Sequence, residues 1–210
     1  MNSPNILRNQ VKSYLLEQIR LGELEVGKTI NLAHLSRKMG ISVTPIREAL
    51  SQLEQVRIIK AVPNRGFVIS ELSKTEAKNL YETISQLELM ALESSLFTPE
   101  FIQVLRLHQT KLKQANTDSG RLKERFEFHR VLISGCTNII LIQLLEDLKA
   151  RLLFYEQGFG YHDASFYENV NNQNEALIQA IEDDNIPTAS LILKMNWMFI
   201  FEHIENRIEN

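Results

Sequence analysis

The chain is poor in cysteine and, over its second half, in glycine and proline. Cys136 is the single cysteine in 210 residues; one thiol makes neither an intrachain disulfide nor a cysteine-based zinc site, and it suits a reducing cytoplasm. No run of eighteen apolar residues occurs, and Met1 to Gln10 carries Arg8 among polar side chains in place of a hydrophobic signal segment. Neither membrane insertion nor secretion is therefore expected, and the expected location is the cytoplasm. A glycine-rich phosphate loop, a nucleophile elbow and a carboxylate pair in context are all missing, so no catalytic residue is assigned and an enzyme is not expected. His129 has Glu124 and Glu127 nearby in sequence, but Glu127 is two residues away and falls on a different helix face.

What is present is a globular composition, with 44% apolar residues, and an uneven distribution of charge. Residues 1–72 hold ten Lys or Arg against six Asp or Glu, a balance of +4, while residues 73–210 hold thirteen against twenty, a balance of −7. A basic half followed by an acidic half fits a nucleic-acid-facing domain joined to a solvated one. The expected organisation is two domains, a nucleic-acid-facing one over 1–72 and a solvated, acidic one over 73–210.

In the first half Gly22, Gly27, Gly40, Pro45, Pro63 and Gly66 divide the chain into short pieces. Leu7, Val11, Tyr14, Leu15 and Ile19 recur at helical spacing and predict an amphipathic helix. Asn31 is placed to cap a second helix with Leu32, Leu35 and Met39 on its buried face, and Gly40 supplies a left-handed turn. Ser42 precedes a third helix that tolerates Pro45 in its first turn. There Ile46, Ala49, Leu50 and Leu53 face inward, so Thr44, Arg47 and Ser51 share the outer face. The pattern then changes to a two-stranded hairpin, Ile58 to Val62 and Phe67 to Ile69, around Pro63-Asn64-Arg65-Gly66.

The second half has few interruptions, namely Pro99, Gly120, Gly135, Gly158, Gly160 and Pro187. It predicts five or six helices. The first starts at Ser73 with Leu80, Ile84, Leu87, Met90 and Ala91 as its core stripe, and Thr98-Pro99-Glu100 opens the next. Others are expected at 118–134, 137–157, 164–183 and 187–206. The fold class is mainly α: an N-terminal winged helix-turn-helix with a small β-hairpin wing, then an all-α bundle.

A helix-turn-helix followed by a basic hairpin places one helix in the major groove of DNA and the wing beside it. Ser42 and Thr44, at the start of that helix, can donate to phosphate with help from the helix dipole. Arg47, one turn later, reaches phosphate or a guanine edge, and Arg65 projects from the wing.

The run Leu35-Ser36-Arg37-Lys38-Met39-Gly40-Ile41-Ser42-Val43-Thr44-Pro45-Ile46-Arg47-Glu48-Ala49-Leu50, with Leu53-Glu54, Asn64-Arg65-Gly66 and the upstream Gly22-Glu23-Leu24 and Gly27, resembles the winged-helix domain of the GntR family of bacterial transcription regulators. An all-helical second half of this length resembles its FadR-type branch, whose C-terminal bundle senses an effector and dimerises. The resemblance implies a homodimer on a double-stranded operator, with Arg37, Ser42, Thr44, Arg47, Arg57, Asn64, Arg65 and Gly66 on the DNA side. Three positions depart from the family pattern. Val43 replaces an arginine commonly directed at DNA, Arg57 replaces the glycine that ends the recognition helix, and Val26 replaces a proline.

The same resemblance points to four positions in the bundle where metal-binding relatives carry one Asp and three His. Here they are Arg125, His129, Asn174 and Asn196. One imidazole, two amides and a guanidinium make a poor transition-metal site, so no metal and no cofactor are expected. A cation beside amide donors suits a carboxylate or phosphate held directly, and Arg151 is a further candidate for this effector pocket. Ile84 stands where many relatives carry an arginine, which leaves a larger, more apolar effector open. Two functions follow as alternatives: a regulator responding to a small organic-acid-like effector, or an architectural DNA-binding protein with no effector.

Overall fold

The computed structural model describes residues 4–20, 27–55, 57–70, 73–159 and 164–208. The chain forms α1 (Pro4–Arg20), α2 (Leu32–Met39), α3 (Val43–Gln55), β1 (Ile59–Val62) and β2 (Gly66–Ile69), followed by α4 (Lys74–Glu93), α5 (Pro99–Gln114), α6 (Asp118–Leu132), α7 (Ile139–Phe159), α8 (Ala164–Glu182) and α9 (Ile186–Glu205). This is the winged helix-turn-helix and helical bundle expected from the periodicity. Gly22-Glu23-Leu24 and Val26 lie outside the described residues, as do His162 and the side chains of Ile19, Phe154 and Phe159.

Two compact units make up the chain. One comprises Met1–Lys74 with Asp147–Gly160 and Ile208–Asn210; the other comprises Thr75–Glu146 and Tyr161–Arg207. Helix α7 thus begins in the second unit and ends in the first.

In the first unit, Val11 and Leu15 of α1 pack with Leu35 of α2, with Ile46, Ala49, Leu50 and Leu53 of α3, and with Ile58, Ile59 and Ile69 around the hairpin. Local chemistry fixes the turn between α2 and α3. The Asn31 side chain accepts from the His34 N–H at 2.9 Å, capping α2. Gly40, at φ 64°, sits in the left-handed region that glycine adopts without strain. The Ile41 N–H reaches back to the Ser36 carbonyl, while the Ser36 hydroxyl donates to the Ile41 carbonyl at 2.7 Å. Strands β1 and β2 pair antiparallel with Ile59 opposite Ile69 and Val62 opposite Gly66. Ile30 N–H donates to the Phe67 carbonyl and Gly27 N–H to the Ile69 carbonyl, which ties β2 to the segment before α2.

The second unit is built from α4, α5, α6, α8, α9 and the start of α7. Thr98, Thr117 and Asn185 cap α5, α6 and α9 through their side-chain oxygens. Helix α5 packs on α6 and α8, and α8 packs on α9. Tyr81 of α4 meets Trp197 and Phe201 of α9, and Phe166 of α8 stacks on Phe199. The face of α4 differs from the sequence expectation. Leu80, Ile84 and Ala91 are buried, but Met90 is 56% exposed, and Tyr81, Ser85 and Glu88 are buried instead. A reading that follows apolar residues alone misplaces this face by part of a turn, because its central positions are polar.

Candidate nucleic-acid interface and polar core of the helical unit

The outer face of α3 follows directly from its inner one. With Ile46, Ala49, Leu50 and Leu53 buried, Val43, Thr44, Arg47, Glu48 and Ser51 are exposed, as is Ser42 before the helix. Arg37, on the last turn of α2, is also exposed. At the wing tip, Pro63 and Asn64 occupy the centre of a turn closed by the Arg65 N–H on the Val62 carbonyl at 3.0 Å. Asn64 (φ 63°) and Gly66 (φ 82°) take left-handed backbone there, so the exposed Arg65 side chain is carried on a constrained tip.

Arg57 is the unusual residue of this face. It is exposed and has φ 57°. Its N–H bonds the Glu54 carbonyl, and the Ile58 N–H bonds the Leu53 carbonyl. That pair of bonds is the helix-terminating motif whose left-handed position glycine usually fills. Glu54 also uses its carboxylate to accept from the Ala61 N–H at 2.8 Å, joining the end of α3 to β1.

In the helical unit the interior contains a polar layer. His129 and Arg125 lie one turn apart on α6, each about 1% exposed. His129 Nδ1 is 2.8 Å from Glu88 Oε2 on α4, and Trp197 Nε1 on α9 donates to the same oxygen at 2.7 Å. The His129 ring packs on the Trp197 ring at 4.4 Å. Asn174 of α8 donates its amide to Gln109 of α5, and Asn196 of α9 donates its amide to Gln173 of α8, both at 2.9 Å. Burial pushes the Arg125 guanidinium down from its usual range, and Tyr81, Tyr167 and Glu88 oppose that shift. Burial pushes the Tyr167 phenol up, which Arg125 counteracts.

Several buried atoms of this layer find no hydrogen-bond partner among the described residues: Ser85 Oγ, Glu88 Oε1, His129 Nε2, Asn174 Oδ1 and Asn196 Oδ1. Each asparagine amide gives one hydrogen bond to a glutamine, and the Asn174 and Asn196 side-chain oxygens have no hydrogen-bond partner among the described residues. Beside the layer, an open cleft of about 350 Å³ is lined by Lys113, Arg121, Tyr167, Asn171 and neighbours on α5, α6 and α8. Asn171 accepts from Gln109, which in turn holds Asn174, so the cleft wall and the polar layer share one hydrogen-bond chain.

Of the sequence candidates, Arg125, His129, Asn174 and Asn196 are all buried in this unit. Arg151 is half-buried in the part of α7 that groups with the first unit. Glu88, Ser85, Gln109 and Trp197 were not singled out as site residues. Glu88 falls at the helical spacing of Tyr81, Ile84 and Ser85, and a carboxylate on that line was the available signal. The partners considered for His129 are committed elsewhere: Glu124 faces His108 at 3.7 Å, and Glu127 bonds Arg130 at 2.8 Å.

Among the described residues no group of three or more His, Cys, Asp or Glu is placed to hold a metal ion. One imidazole and two amide oxygens with a guanidinium alongside do not fit a divalent transition metal. Among the described residues no helix is long and apolar enough to cross a membrane.

Comparison with known proteins agrees with both halves of this description. Residues 7–69 match the family described as bacterial regulatory proteins, gntR family, and residues 79–196 match the FCD domain. The HTH-type transcriptional regulator McbR of Escherichia coli K12 is 29% identical over 191 residues, covering 88% of this chain and 82% of that protein. The HTH-type transcriptional repressor GlaR of the same organism is 22% identical over 195 residues, covering 87% and 89%. The solved structure of E. coli McbR/YncC superposes with a TM-score of 0.77 over the whole of both chains at 24% identity. The matched families and relatives are regulators, not enzymes. With one family covering the helix-turn-helix and wing and the other covering more than half of the chain, the protein belongs to the GntR family of bacterial transcription regulators, with an FCD domain as its second part.

Proposed function

We propose that the protein is a homodimeric, cytoplasmic regulator of the FadR-type branch. Residues 1–72 read an inverted-repeat operator, and residues 73–210 bind a small organic-acid-like effector without a metal. The observation that carries the DNA half is the exposed row of Thr44 and Arg47 on α3, next to a wing tip that holds Arg65 outward. Ser42, Thr44 and the α3 N-terminus hold phosphate, Arg47 and Arg65 reach groove edges or backbone, and Arg37, Arg57, Asn64 and Gly66 complete the surface. A domain of only +4 formal charge binds DNA weakly, so two copies on two half-sites supply useful affinity. Exposed apolar side chains on the helical unit, among them Met90, Leu96, Ile139, Ile140, Leu191 and Met195, provide surface for a second copy.

The effector half rests on the buried polar side chains of the helical unit, among them Arg125, a cation about 1% exposed whose chemistry suits an anionic ligand. The buried oxygens of Ser85, Glu88, Asn174 and Asn196 that have no hydrogen-bond partner among the described residues favour a ligand site over a purely architectural core, where they would be a standing penalty. His129, Asn174 and Asn196 are the further candidates of this site, all buried in the same unit.

Retention of short genomic DNA fragments at low salt tests the DNA half. Wild-type protein is expected to retain a subset of fragments, and Arg47→Ala and Arg65→Ala to lose them with unchanged thermal midpoints. Equal retention by both variants would remove the assigned roles.

A further inference from the structure

An apolar side chain stands on the otherwise polar outer face of α3. The exposed large apolar residues described in the first unit are Ile6 on α1 and Val43, the first residue of α3, which is 36% exposed. Its apolar neighbours turn inward: Ile41 packs against the core of that unit, and Ile46 is fully buried. Thr44, Arg47, Glu48 and Ser51 complete the exposed face. Val43 and Arg47 are four residues apart, so their side chains stack one turn apart on one side of that face, while Thr44 points about 100° round the helix axis. Valine is branched at Cβ and holds one preferred rotamer in a helix, so its two methyl groups are fixed before any partner arrives. A lone exposed valine on an arbitrary surface needs no explanation. This one occupies the first turn of the helix that a helix-turn-helix lays in the major groove, where N-terminal side chains meet base edges.

We infer that Val43 is a specificity-determining residue that reads the C5-methyl group of a thymine in each operator half-site. This goes beyond the phosphate and arginine contacts proposed above and rests on the operator-reading role of α3. The chemistry of the groove selects the partner. A valine side chain has neither donor nor acceptor, so against guanine N7 and O6, adenine N7 and N6, cytosine N4 or a phosphate oxygen it displaces water and returns no hydrogen bond. The thymine C5-methyl is the apolar group that the major groove displays, and covering it with valine takes two apolar surfaces out of water together. Thr44 on the same turn also carries a methyl group, but its hydroxyl is assigned to phosphate and it lies off the line of Val43 and Arg47. That line also sets a register. Four residues rise about 6 Å along a helix, so the thymine lies within about two base steps of the group that Arg47 contacts.

The test uses the full-length protein and the short DNA sequence most enriched by selection from genomic fragments. Each thymine of a half-site is replaced in turn by deoxyuridine, which removes the C5-methyl and keeps the base pair, and binding is measured by fluorescence anisotropy for wild type, Val43→Ala and Thr44→Ser. At one thymine position the replacement is expected to cost the wild type about fourfold per half-site, the worth of one buried methyl-sized group. Val43→Ala should bind the thymine and deoxyuridine sequences equally. Thr44→Ser, which keeps the hydroxyl and loses the methyl, should discriminate as the wild type does. Thermal midpoints establish that the variants fold; if Val43→Ala does not, Val43→Thr takes its place, with a reduced deoxyuridine penalty expected. A half-site without a methyl-sensitive thymine, or an equal penalty in the wild type and the Val43 variant, would overturn the thymine contact while leaving operator reading in place. Loss of the penalty in Thr44→Ser alone would move the contact to Thr44 and overturn the inference as well. If no sequence is enriched, the operator reading falls and this inference falls with it.

Discussion

Arg57 and Asp184 both end helices in left-handed backbone, at φ 57° and 53°, and both are followed by the bond pair of a helix-terminating motif. A non-glycine residue in this conformation is strained, so replacement by glycine relieves the strain at some gain in unfolded-chain entropy. Arg57→Gly and Asp184→Gly are each expected to stabilise the protein by about 0.5–1 kcal/mol in urea unfolding. Only Arg57→Gly should weaken DNA retention and reduce the salt dependence of binding, by roughly one counterion for one lost phosphate contact. Equal DNA binding by the two variants would show that Arg57 has no such contact. In the helical unit, Trp197→Phe keeps an aromatic side chain, though a smaller one, and removes the donor to Glu88 Oε2. A loss of about 1–3 kcal/mol is expected because the abandoned partner is a buried carboxyl oxygen. A loss indistinguishable from that of an ordinary core substitution would argue against the Glu88 network.

The α2-turn-α3 element depends on two local devices. Gly40→Ala places a side chain in left-handed backbone with open space around it, so its cost is the backbone alone, about 1 kcal/mol. Asn31→Ala removes the α2 cap at a cost of about 1 kcal/mol. Thermal or urea unfolding reads both. On the surface of the bundle, Arg106 of α5 bonds Glu182 and Glu175 of α8, and Lys113 also bonds Glu175. The hydrogen bond from Arg106 holds the Glu182 carboxyl below its ordinary range. A depressed carboxylate contributes stability that is full above its unfolded pKa, about 4.3, and lost as pH falls through the lower folded value. These side chains are well exposed, so Arg106→Ala should cost under about 1 kcal/mol, less at high salt. The difference from wild type should vanish in acid; a difference persisting there would mean that the arginine acts through packing.

Elements of this kind were largely legible in the sequence. Asn31, Gly40 and the i, i+3, i+4, i+7 spacing from Ile46 to Leu53 set α2 and α3 without tertiary help, and Pro63 to Gly66 marked the wing. The polar layer was less legible for a physical reason. Apolar periodicity identifies a buried face by transfer free energy, and Ser85, Glu88, Gln109 and Asn174 are buried for hydrogen-bonding partners that lie on other helices. The orientation of the asparagine amides depends on those distant partners as well. Likewise, periodicity marks α7 as one helix but carries no sign that its two ends group with different compact units.

At the scale of the whole molecule, a basic reading domain of modest charge is joined to a bundle with exposed apolar side chains and a buried, incompletely satisfied interior. These features fit a dimer that obtains its affinity from two half-sites and its control from a ligand. Sedimentation of the full-length protein at micromolar concentration should give a dimer, and Ile139→Lys with Ile140→Lys should shift it toward monomer if those side chains belong to the interface. The most direct test of the account is to sequence the genomic fragments that the wild-type protein retains at low salt and to repeat the selection at rising salt. The account predicts a short inverted repeat whose half-sites are centred about 10–10.5 base pairs, or a multiple of that, apart, with binding that weakens steeply as salt increases. Retention with no common sequence, or of a motif lacking two-fold symmetry, would contradict it.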